Sequence, residues 1–117
     1  MVAQSVIGEK SLAFAKLIAQ CYVSLKKKGE LVMSKQLLRS GTSIGANVRE
    51  GQYAQSKKDF ISKMNIALKE AGETDYWLDV LHSSSYLSDE DYTSLDEYNK
   101  ELVRLLAAIV KTSKQNS

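Results

Sequence analysis

Proline is absent from all 117 residues. It is the residue that most sharply ends helices and fixes turns, so its absence favours helices joined by short connections. Cysteine and histidine each occur once, as Cys21 and His82. A lone cysteine excludes an internal disulfide and points to a reducing compartment. One histidine and one cysteine are too few for a zinc site of the usual ligands. No nucleophile elbow accompanies His82, and no P-loop, GxGxxG or metal-ligand spacing occurs, so no cofactor is expected. No apolar run approaches the ~20 residues that cross a bilayer. Lys10 and Lys16 interrupt any signal-peptide core near the N-terminus. A cytoplasmic protein with no membrane contact is the expectation.

What is present is the composition of a folded chain, 44% hydrophobic and 26% charged. The length fits a single domain, residues 1–117, able to bury one core. The net charge of +2 hides an asymmetry. Residues 1–58 carry ten Lys/Arg against three Asp/Glu, whereas residues 59–117 carry six against eleven. Either the halves attract one another across helix faces, or the first presents a basic surface to nucleic acid or an acidic partner.

Four amphipathic segments follow in order. The first, Ile7 to Lys28, carries Ile7, Phe14, Ile18, Cys21 and Leu25 at 3-4 spacing and ends in Lys26-Lys27-Lys28-Gly29, a dipole-compensated terminus with a C′ glycine. Cys21 reads as a small core residue. The second starts near Glu30 to Ser34 and runs to about Tyr53, with Met33, Leu37, Ile44 and Val48 as its core edge. Gly41 and Gly45 let another helix approach, and Gly51 is expected at the C-cap. The third opens with the capping box Ser56-Lys57-Lys58-Asp59 and keeps its rhythm through Phe60, Met64, Ala67, Ala71, Thr74, Leu78 and Leu81. Ala67, Ala71 and Gly72 suggest close packing, and Trp77 a place at a rim. The fourth is capped by Ser88 before Asp89, Glu90 and Asp91. Its core stripe is Leu95, Tyr98, Leu102, Leu105 and Ile109, with Val103, Leu106 and Val110 as a second stripe and a frayed tail after Lys111. The expected fold is all-α, an up-down-up-down four-helix bundle.

The stretch from Arg39 to Gly51 stands apart. As a helix it places Arg39, Ser43, Asn47 and Glu50 in one stripe about 80° wide, beside Ile44 and Val48. Two readings apply: a polar seam that fixes how helices or subunits meet, in which Glu73 could pair with Arg39 or Arg49, or a seam that touches a ligand. For nucleic acid or an acidic partner the candidate contacts are Lys26, Lys27, Lys28, Lys35, Arg39, Arg49, Lys57 and Lys58, with Tyr53 available to stack. For catalysis only Glu50, Glu73 and His82 are at hand, and no spacing brings them together.

The residues LLRSGTSIGANVREG, Leu37 to Gly51, together with the later AGETDYWLDVL run, resemble the bacterial four-helix-bundle family of proteins encoded in intervening sequences of 23S ribosomal RNA genes. That family is similar to the accessory variability determinant of diversity-generating retroelements. The resemblance implies a homo-oligomer, specifically a pentamer, and no enzymatic activity. It implies nucleic acid, or a protein partner such as a reverse transcriptase or other mobile-element protein, as what the bundle binds.

Overall fold

The computed structural model describes residues 2–116, with side chains from residue 6 onward. Helices α1 (Val2–Lys27), α2 (Met33–Gln52), α3 (Lys57–Ser83) and α4 (Asp89–Gln115) follow in order. Each packs on its neighbour in sequence, and α4 closes back on α1. The expected up-down-up-down bundle is therefore the fold, a rod of 47 × 21 × 19 Å. None of its helices is long and apolar enough, among the described residues, to cross a membrane.

The helix ends follow local chemistry. Gly29 takes φ +87°, where a Cβ would be strained. Its N–H donates to the Lys26 carbonyl, and the Glu30 N–H to the Leu25 carbonyl, both at 3.0 Å. This pair of bonds is the Schellman end of α1. Ser56 Oγ accepts from the Asp59 N–H at 3.0 Å, and Ser88 Oγ from the Asp91 N–H at 3.1 Å, capping α3 and α4. The start of α2 was not legible in this detail. There the carboxylate of buried Glu30 accepts the N–H groups of Val32, Met33 and Ser34 at 3.2, 3.1 and 2.6 Å. Burial pulls the Glu30 pKa upward, but the Ser34, Met33 and Val32 amides with the Ser34 side chain outweigh it, and the net shift is downward.

Ile7, Phe14, Ile18 and Leu25 of α1 meet Leu37, Ile44 and Val48 of α2, with Met64 to Leu81 of α3 and Leu95 to Val110 of α4 completing one cluster. Each fully buried large side chain contributes about 1.5–3 kcal/mol, so the core readily offsets glycines that cost about 1 kcal/mol each in a helix. Gly41 and Gly45 draw α1 close. A Cβ on Gly41 would meet Ile18 at 2.9 Å, and one on Gly45 the Ser11 carbonyl oxygen at 3.3 Å.

Four expectations are corrected. Gly51 is not a C-cap: it lies inside α2, buried, where a Cβ would stand 2.4 Å from Met64 Cε on α3. Gly72 packs against nothing, since no atom lies within 4 Å of its Cβ position. On α4 the deepest line is Leu95, Leu102, Leu106 and Val110, while Leu105 and Ile109 are only half-buried. The tail does not fray at Lys111; the helix continues to Gln115.

Candidate interaction surfaces

The polar stripe of α2 lies on the flank facing α3, not in the core. Its buried line is Leu37, Ile44 and Val48, and the stripe is centred roughly 125° around the helix from that line. Arg39 is exposed and reaches α3, donating to Glu70 at 3.0 Å and bonding Glu73 as well. The Arg39 bond, then the Trp77 Nε1–H donated at 3.1 Å, hold the Glu73 carboxyl below its usual range. Ser43 Oγ donates to the Arg39 carbonyl at 2.6 Å, and Asn47 Nδ2 to the Ser43 carbonyl at 2.8 Å, both within α2. Glu50 pairs with Lys63 at 3.0 Å. Arg39 and Glu73 thus meet, Arg49 does not join them, and Glu70 enters unforeseen.

The polar groups that are buried lie elsewhere. Thr74 Oγ1 donates to Ser40 Oγ at 3.0 Å between α3 and α2. Asn99 Nδ2 donates to the Ala71 carbonyl at 2.9 Å between α4 and α3. Asn99 fell on no expected stripe; its three-residue offset from Leu102 was the available signal.

The eight candidate cations do not form one patch. Antiparallel helices send Lys26, Lys27, Lys28 and Lys35 to one end, called the upper pole, and Arg49, Lys57 and Lys58 to the lower. The twenty residues of α2 separate the poles by about 30 Å. Arg39 stands between them, already held by two carboxylates. At the upper pole, residues 22–38 and 82–94 hold four cations against four acids, Glu30, Asp89, Glu90 and Asp91. At the lower pole, residues 6–12, 49–60 and 104–116 hold seven against three, a net of +4. Arg104, Lys111 and Lys114 join this end from α4 and were not foreseen. The excess is at the lower pole.

Along the outside of α1 and α2 runs an open groove of about 690 Å³, lined by Gly8, Leu12 and Ala15 on one side and Thr42, Gly45, Ala46 and Arg49 on the other, with Glu9 and Glu50 at the rim. Leu12 is 42% exposed, and Val23, farther along α1, is 51% exposed.

Residues 4–108 match the family described as 23S rRNA-intervening sequence protein. The chain belongs to that family. A crystal structure of a protein with unknown function from the S23 ribosomal protein family of Bacteroides thetaiotaomicron is similar to it, at 51% identity and TM-score 0.91, covering 93% of this chain and 98% of that one. No curated protein matches. Neither description names an enzymatic activity.

The side chains of this chain that could do chemistry are dispersed. Burial first, then the Asp91 charge, push the half-buried Cys21 thiol up to about 11, against a smaller pull from Lys28. Such a thiol is a poor nucleophile. His82 Nε2 lies 2.6 Å from Asp89 Oδ1, and its ring stacks on Tyr92 at 4.1 Å. Glu73 is nine residues away on the same helix, about 13 Å along the axis, and Glu50 is held at Lys63. The three do not share a cleft. No group of three or more His, Cys, Asp or Glu among the described residues is placed to hold a metal.

Proposed function

We propose that this protein is a non-enzymatic helical scaffold that self-associates by docking the α1/α2 groove of one copy on the α3/α4 flank of the next. The observation that carries the reading is the uncovered apolar groove on the basic half of a bundle whose other half is acidic. Counted by helix, residues 1–52 carry eight Lys/Arg against three Asp/Glu and residues 57–115 eight against eleven, so the α1/α2 flank is net basic and the α3/α4 flank net acidic. Complementary flanks steer association and fix its register. Such a contact joins two different faces, and heterologous contacts of this kind close into rings when the rotation permits. A pentamer is the ring expected. On the acidic side, exposed Gly72 and Tyr76 lie one turn apart on the outer surface of α3. An open glycine there allows close approach by a second backbone.

Light scattering tests the reading. The expected mass is a fixed multiple of 13.0 kDa, and Leu12→Glu is expected to reduce it while helix content by circular dichroism is unchanged. A monomer at every concentration would contradict it. A second reading, nucleic-acid binding, is favoured by the +4 excess at the lower pole. A protein partner in place of a second copy, such as a reverse transcriptase subunit, would appear as groove-dependent capture of that partner by an otherwise monomeric chain.

A further inference from the structure

We infer that the lower pole is a platform for single-stranded nucleic acid, with a base stacked on Tyr53 and the backbone held by Lys57, Lys58, Lys111 and Lys114. This deepens the nucleic-acid reading and rests on it. Tyr53 ends α2 and is 81% exposed. Exposing an aromatic ring to this degree gains the fold nothing, whereas a free π-face is what a base stacks on. The four lysines are exposed, and no ion pair neutralises any of them among the described residues.

Between the α2–α3 connection and the end of α4 lies an open cavity of about 510 Å³, lined by Gln55, Ser56, Thr112 and Asn116 among others. Amides and hydroxyls offer donors and acceptors to the edges of an unstacked base. The pole presents a connection and a helix terminus, not a protruding helix or ribbon, so it has nothing to insert into the major groove of a duplex. Because the proposed assembly uses the flanks of the rod, the pole stays open in it.

The experiment is fluorescence anisotropy of a labelled twelve-nucleotide oligouridylate, titrated with the full chain at rising potassium chloride. Single strands release about 0.7 counterion per neutralised phosphate. The quadruple variant Lys57→Gln, Lys58→Gln, Lys111→Gln, Lys114→Gln is therefore expected to flatten the slope of log affinity against log salt by about 2 to 3. The upper-pole triple variant Lys26→Gln, Lys27→Gln, Lys28→Gln is expected to leave the slope unchanged. Tyr53→Ala should weaken binding roughly tenfold at constant slope, and Tyr53→Phe should restore it.

Absence of binding by the unmodified chain defeats the nucleic-acid reading itself. Binding that is lost in the upper-pole variant and kept in the lower-pole variant overturns this assignment alone. Equal competition by polyglutamate or by duplex RNA overturns the choice of a single strand, and an unaffected Tyr53→Ala overturns the stacking.

Discussion

Ile18 of α1 presses on the bare Cα of Gly41 in α2, its Cγ1 and Cγ2 each 2.9 Å from where a methyl would stand. Gly41→Ala gains about 1 kcal/mol of helix propensity but overpacks a filled interface, which costs about 1–3 kcal/mol. Overpacking wins because Ile18 is fully buried and cannot swing out. The expected result is a melting temperature lower by a few degrees. Adding Ile18→Val is expected to recover part of the loss, and an unchanged melt in Gly41→Ala would contradict the close approach.

Gly72→Ala is the opposite case. With nothing within 4 Å of its Cβ position, the substitution is expected to stabilise the isolated chain by about 0.5–1 kcal/mol. If the outer face of α3 receives the next copy, the same methyl lowers the assembled mass. Calorimetry at low concentration and light scattering at high concentration separate the two effects.

The rhythm of Phe60, Met64, Ala67, Ala71, Thr74, Leu78 and Leu81 was legible because α3 lies in the middle of the chain and packs on both α2 and α4. Serines before acids likewise announced two of the caps. Glu30 was not legible, because its capping bonds depend on a chain reversal that periodicity does not encode. Nor was the separation of Lys28 from Lys57: both lie in the first half of the sequence, and only the antiparallel path puts them at opposite ends. The stripe from Arg39 to Glu50 was visible as a stripe, but whether it faced the core or its edge depended on how α2 rolls against α3.

Glu30 carries a pH prediction of definite sign. Its pKa is lowered by folding, so its stabilisation is present above the unfolded carboxylate value and is lost as pH falls through the folded one. Glu30→Ala is expected to cost about 1–2 kcal/mol at neutral pH, the scale of a lost cap with orphaned amides. The penalty should shrink under acid. A penalty independent of pH would contradict the capping role.

Asp75 behaves in the reverse sense. Burial first, then the bond to Asp96 and the charges of Asp79 and Asp96, raise its pKa against the pull of Lys100. Asp96 is itself buried and bonded to Lys100 at 2.5 Å through Oδ2. A group whose pKa rises on folding stabilises below its unfolded value, and that stability is lost as pH climbs through the folded one. Asp75→Asn is therefore expected to raise stability at neutral pH and to flatten its decline from acid to neutral. A decline as steep as the unmodified chain's would show that another group is responsible.

The docking of the α1/α2 groove is tested most directly by hydroxyl-radical footprinting across a concentration series. Leu12 and Val23 are exposed on the single chain, as is Tyr53 at the pole. The expected result is that labelling of Leu12 and Val23 falls as the protein assembles, while labelling of Tyr53 stays constant. Equal labelling of all three at every concentration would contradict a groove covered by a second copy.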